Sequence, residues 1–163
     1  MKFSVLVCII FFILLFACHQ PVSNNQLLQN KIDSLEHAVT NGYKPGFGEF
    51  MSGIQVHHAK LWFAGKNKNW KLAGFEMKEI QEALDGIKQY CADRSETKVI
   101  GMIDASMDSL SIAIQHKNVV QFNSGYLLFT ATCNNCHRET GHEFNVITIP
   151  ANSPFSNQDF KAQ

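Results

Sequence analysis

The stretch Val119-Val120-Gln121-Phe122-Asn123-Ser124-Gly125-Tyr126-Leu127-Leu128-Phe129-Thr130-Ala131-Thr132-Cys133-Asn134-Asn135-Cys136-His137 decides how this chain folds. Val119, Phe122, Tyr126, Phe129, Cys133 and Cys136 return every three or four residues, the period of a helix with one buried stripe. Gly141, just past the stretch, is a suitable place for that helix to stop. Working upstream, the same period marks Ile103, Met107, Leu110 and Ile114, and before them Ala73, Met77, Ile80, Leu84, Ile87 and Cys91. A further helix is predicted over residues 47–64, with Phe47, Ile54, Leu61 and Gly65 in phase, and Asn69 is placed to cap the helix that follows. A polar loop is expected over residues 92–98. No strand alternation of any length competes with these stripes.

Four such stripes joined by short turns predict an all-α fold, a four-helix bundle running up-down-up-down. Two additions flank it. Leu28, Ile32, Leu35 and Val39 step by four and three residues on an extra N-terminal helix, the spacing of a coiled-coil seam, before Gly42, Pro45 and Gly46 break the pattern. That helix either lies on the domain or self-associates as a stalk. After Gly141 the chain carries Pro150 and Pro154 and no helical period, so it reads as an extended tail, with Phe144, Val146, Ile147 and Ile149 expected to pack on the bundle.

The first residues read as an export signal. Lys2 precedes a nearly unbroken apolar run, residues 3–16, ending at Ala17 and Cys18. A permanent span needs about 20 apolar residues, so this run is marginal as one. Leu15-Phe16-Ala17-Cys18 resembles a bacterial lipobox, which makes Cys18 the expected lipidation site and the mature N-terminus, although Phe16 is bulky for its position. The expected organisation is a lipoprotein-type signal peptide over residues 1–17, a tether and amphipathic helix over 18–46, and the bundle with its extension over 47–163. The chain of 163 residues suffices for one core, and its 14 basic side chains balance 14 acidic ones, so the basic face that nucleic acid requires is absent.

Cys133-Asn134-Asn135-Cys136-His137 is a Cys-x-x-Cys-His motif, the signature of covalent haem attachment. Two thiols one helical turn apart share a face and can add to the two porphyrin vinyl groups, and the following imidazole can ligate the iron. A chance match in a chain of this size is rare, on the order of one in a thousand. A redox dithiol favours a helix N-terminus in a βαβ unit, and a zinc site would need a second pair of ligands; neither context is present in the sequence. The motif predicts one covalent haem c held by Cys133 and Cys136, with His137 as the proximal ligand.

A helical bundle with this motif near the end of its last helix resembles the cytochrome c prime and cytochrome c-556 class, over roughly residues 47–138. The resemblance implies a haem carrier, electron-transferring or gas-binding, and many members of the class are dimers, so a homodimer is compatible with it. The chain departs from the class in its extra N-terminal helix and in the turn at Gly141.

The sixth iron position decides between those activities. Counting about 100° per residue from Ile54, His58 falls at about 40° and Met51 at about 60°, on the apolar side, and His57 at about −60° on the other. His58 is therefore the expected distal ligand and Met51 the alternative, against the plainer readings of a hydrogen-bonded core histidine and a core methionine. Met77, Met107 and Cys91 are expected in the core, as are Trp62 and Trp70 in the core or at a haem edge. His142 is expected at the surface or on a propionate, and Glu76, Glu79, Glu82 and Asp85 on a solvated face. His37 and His116 receive no role. No nucleophile–base pair, phosphate loop or carboxylate dyad is evident, so an electron carrier is expected in place of an enzyme. The leading expectation is a lipid-anchored monohaem cytochrome facing the periplasm, exchanging single electrons with redox partner proteins at a bacterial membrane. The alternatives are a gas-binding or sensing module with an open iron, and a non-haem structural lipoprotein whose cysteine pair is a disulfide.

Overall fold

The computed structural model describes residues 23–162, and the signal, Cys8 and Cys18 lie outside them. The described chain is all-helical, with no strand. Helix α1 spans Ser23–Thr40, α2 Phe47–Lys66, α3 Trp70–Tyr90, α4 Asp104–Gln115 and α5 Val119–Glu139. Two short 3₁₀ turns, Glu96–Lys98 and Ile100–Ile103, lead into α4. Contacts divide the chain into two units between Tyr43 and Lys44. Among the described residues no helix is long and apolar enough to cross a membrane.

The first unit contributes α1, whose Leu28, Ile32, Leu35 and Val39 are exposed. The second unit holds α2 to α5 around one core, an arrangement compatible with a helical bundle. Each of its long helices buries the stripe its period predicts. Ile54 and Leu61 come from α2, Ala73, Met77, Ile80, Leu84 and Ile87 from α3, Met107, Leu110 and Ile114 from α4, and Phe122, Tyr126 and Phe129 from α5. Cys91 is buried at the end of α3, and Trp62 and Trp70 pack at the core's edge around Phe122.

The two tight turns use one device. The Asn69 N–H donates to the Ala64 carbonyl at 2.9 Å and the Asn118 N–H to the Ala113 carbonyl at 3.0 Å, so each closes the preceding helix with a six-to-one bond. The residue before each asparagine, Lys68 or Lys117, takes the left-handed conformation, with φ 59° and 54°. Each asparagine then caps the next helix through its side chain, Asn69 accepting from the Leu72 N–H and Asn118 from Val120 and Gln121. The α5 helix gives way at Thr140, followed by Gly141 with φ 74°.

Three expectations need correction. Glu76 is not on a solvated face: it is fully buried, on the same side of α3 as Ala73 and Ile80, and its carboxylate meets His57 Nδ1 at 2.6 Å. Its charge groups it with Glu79, Glu82 and Asp85 in the sequence, where its partner on α2 cannot be weighed. The polar loop over residues 92–98 is partly folded inward, with Glu96 buried and bound by Arg94 at 2.5 Å. In the tail, Phe144 and Val146 face solvent while Ile147 and Ile149 are half-buried, the alternation of an extended chain. The tail's anchor is instead Phe160, buried against the core and 5.7 Å from the Phe63 ring, next to an Asn69 Nδ2–H bond to the Lys161 carbonyl.

Helices α2 and α5 run antiparallel, since Trp62 meets Phe122 and Tyr126 while His58 meets Tyr126 and Phe129. They approach closely at Gly65, where an added Cβ would lie 2.0 Å from Phe122 Cζ. Phe122 is fully buried and has nowhere to retreat. Gly65→Ala should therefore destabilise the protein by about 1–3 kcal/mol through overpacking, although alanine is the better helix former by about 1 kcal/mol. Urea unfolding checks the sign, and a rise in midpoint would show that the contact yields.

Candidate functional site

The α2–α5 contact brings the sequence candidates together. Met51, Ile54 and His58 of α2 and Cys133, Cys136 and His137 of α5 line a single cavity of about 60 Å³. Leu84, Ile100 and Ile103 close its apolar side, and Asn145 and Ile147 of the tail cover another. Antiparallel packing explains the meeting, because the early turns of α2 lie beside the late turns of α5.

His137 is oriented by the tail. Its Nδ1 lies 2.6 Å from the Asn145 carbonyl oxygen, which can only accept, so Nδ1 carries the proton and donates. In the neutral ring the lone pair is then on Nε2. The tail is held there by Asn134, the residue after Cys133. Its Nδ2–H donates to the Ile147 carbonyl and its Oδ1 accepts from the Ile147 N–H, each at 2.8 Å. The side chain thus imitates a strand partner for one residue of extended chain, satisfying both of its backbone groups. The His142 N–H also bonds the His137 carbonyl at 2.7 Å, which starts the return of the chain, and the His142 ring packs against Phe144.

His58 is buried and fully engaged. Thr130 Oγ1 donates to the Tyr126 carbonyl at 2.9 Å and lies 2.9 Å from His58 Nε2. The Tyr126 hydroxyl donates to the His58 carbonyl at 2.8 Å and lies 2.9 Å from His58 Nδ1. Burial pushes the His58 pKa down to about 4, so the ring is neutral at pH 7. Both ring nitrogens thus face a hydroxyl group within hydrogen-bond distance. Met51 borders the same cavity through its polarizable thioether. His57, the residue set aside by the helical count, is half-buried and faces Glu76 of α3.

The two thiols of the motif are not activated. Burial pushes Cys133 up to about 12 and raises Cys136 as well, with the first thiol further raised by the second. Both lie in the last turns of α5, the negative end of the helix dipole, where a thiolate is disfavoured. Cys91, Cys133 and Cys136 are all free thiols. No group of three or more His, Cys, Asp or Glu side chains that could hold a metal ion exists among the described residues.

Comparison of the chain with family models, with curated proteins and with solved structures finds no match.

The sequence singled out Cys133, Cys136, His137, His58 and Met51, and the structure gathers all five at one cavity. It missed Asn134 and Asn145, because a clamp between a helix and a chain 13 residues further on leaves no local period to read. It also missed Tyr126 and Thr130 as partners of His58. Their spacing of four residues on α5 is a signal that becomes legible only once α2 is known to lie alongside.

Two outcomes follow from this geometry. The unfolded chain binds a proton on His58 near pH 6.5 and the folded protein only near 4, so the neutral, buried ring favours folding above pH 6.5 and that contribution is lost as pH falls towards 4. Stability to urea should drop by about 3 kcal/mol across that window, and His58→Gln should flatten the slope there. An unchanged slope in the variant would assign the loss to other groups. Asn134→Ala should release the Ile147 backbone, so that hydrogen exchange at the Ile147 amide accelerates at least tenfold while amides in the middle of α3 keep their protection.

Proposed function

We propose that the chain is a monohaem c-type cytochrome, with the haem attached through Cys133 and Cys136 and His137 as proximal iron ligand. The observation that carries this reading is the state of His137: its Nδ1–H donates to the Asn145 carbonyl, leaving Nε2 with the lone pair beside two thiols on one apolar cavity. The thiols support it too. Thioethers are neutral and suit a buried site, whereas a redox dithiol needs one thiol with a lowered pKa and a zinc site needs thiolates. Bound there, haem c would supply one-electron chemistry at its iron. The protein's part is to hold the two sulfurs, aim His137 and keep water from one side through Ile54, Leu84, Ile100, Ile103 and Ile147.

The donor set fits the cofactor, with two thiols, an imidazole and a thioether around an apolar lining. The tail residues Asn145 and Ile147 form one wall through bonds to His137 and Asn134. The packing of α2 to α5 supports the finer reading of a four-helix bundle of the cytochrome c prime and c-556 type, with the motif on the final helix. The apolar leader and the lipobox-like Cys18 support an exported protein tethered to a bacterial membrane, where it would exchange single electrons with partner proteins.

A specific observation favours a second reading of the iron. His58 keeps both ring nitrogens in hydrogen bonds, so it stands over the cavity as a core residue and leaves the sixth position to Met51 or open. An open position would make the protein a gas-binding or sensing module.

Expression with a cytochrome c maturation system tests the proposal. The chain should acquire one haem that survives denaturing electrophoresis. Cys133→Ser and Cys136→Ser together should abolish it, and His58→Gln should leave the absorption bands within a few nanometres of the unmodified protein. Rapid carbon monoxide binding by the reduced form would favour the open iron. A colourless product with a 133–136 disulfide would overturn the haem reading in favour of a structural lipoprotein.

A further inference from the structure

We infer that α1 pairs with α1 of a second copy of this chain as a parallel, two-stranded coiled coil. The observation that starts the argument is an exposed apolar stripe: Leu28, Ile32, Leu35 and Val39 are 58, 43, 66 and 76% exposed, although they step by four and three residues as a buried seam does. A helix with no acidic side chain in its first turn and one narrow apolar face has little to hold it folded alone.

The heptad register selects the partner. With Leu28 and Leu35 at d, the a positions are Asn25, Ile32 and Val39. β-Branched residues at a and leucine at d favour two parallel strands, and a single asparagine at a fixes register and strand number at some cost in stability. The flanking charges agree. Lys31 falls at g and Glu36 at the next e, five residues on, the two positions that meet between strands of a parallel pair. Within one helix these two are too far round to pair. Each dimer would therefore hold two Lys31–Glu36 pairs, one on either side of the seam. The g residue one heptad earlier, Asn24, and its e partner, Gln29, are both uncharged, so no like-charge contact opposes this alignment. The 18 residues of α1 make only about two and a half heptads, which implies a weak association that depends on local concentration. The inference does not depend on haem.

Oxidative cross-linking of the full chain in intact cells tests it. Single cysteines are introduced at Val39 on the seam and at Asn30 on the outer face, and the unmodified chain supplies the background from its own thiols. Val39→Cys should form a covalent dimer in much higher yield than Asn30→Cys. Adding Lys31→Glu to Val39→Cys should reduce that yield, roughly five-fold if each of two lost pairs contributes about as much as a good surface ion pair. Adding Glu36→Lys as well should restore it. Equal yields from both faces would mean non-specific crowding, as for a helix lying on the membrane, and would overturn the inference. So would absence of dimer. A seam dimer indifferent to the charge reversal would overturn the parallel register.

Discussion

A ring of three hydrogen bonds between α2 and α5 underlies much else in the second unit. The Tyr126 hydroxyl meets His58 Nδ1, His58 Nε2 meets the Thr130 hydroxyl, and Thr130 donates back to the Tyr126 carbonyl, all away from solvent. Each polar group there would be costly if left unmet, so the ring specifies one axial alignment of the two helices. A slip by a turn would leave a buried imidazole and a buried hydroxyl without partners. The same alignment puts Gly65 against Phe122 and brings Met51 to the level of Cys133 and Cys136. The position of the cavity is therefore a consequence of how a histidine is satisfied.

The ring also sets the chemistry of the cavity. A histidine on such a cavity is easily read as a ligand, yet here both its nitrogens face hydroxyl groups and burial holds it neutral. At His137 a carbonyl accepts from Nδ1–H, which leaves the lone pair on Nε2. The two imidazoles on this cavity thus differ in what their nitrogens face, the Tyr126 and Thr130 hydroxyls for one and the Asn145 carbonyl for the other, acceptors that sequence spacing does not reveal. The tail supplies one of these acceptors, and Asn134 within the motif holds the tail, so the spacer residues of Cys-x-x-Cys-His have a structural task in this chain.

Most of the helical pattern was legible in the sequence. Stripes such as Ala73, Met77, Ile80, Leu84 and Ile87 report a period, and a period is a local property that survives without knowledge of the partner. Asn69 as a cap and Gly141 as a stop were legible for the same reason, since capping involves residues within one turn. The errors share the opposite cause. Glu76 was misplaced because the burial of a carboxylate depends on His57, 19 residues away, and Phe144 and Val146 were misplaced because an extended chain presents alternate residues to a surface its sequence does not name. Phe160 is a lone aromatic in a polar segment, with no period to announce it.

By itself the sequence determined the all-helical fold, the faces of its helices and the motif of two cysteines and a histidine, because backbone periodicity and covalent spacing act over a few residues. Only the tertiary structure decided which imidazole keeps a free nitrogen, which carboxylate is buried and where the tail lies. Those depend on donors and acceptors brought together from distant parts of the chain, and an imidazole keeps its proton on the nitrogen that faces an acceptor.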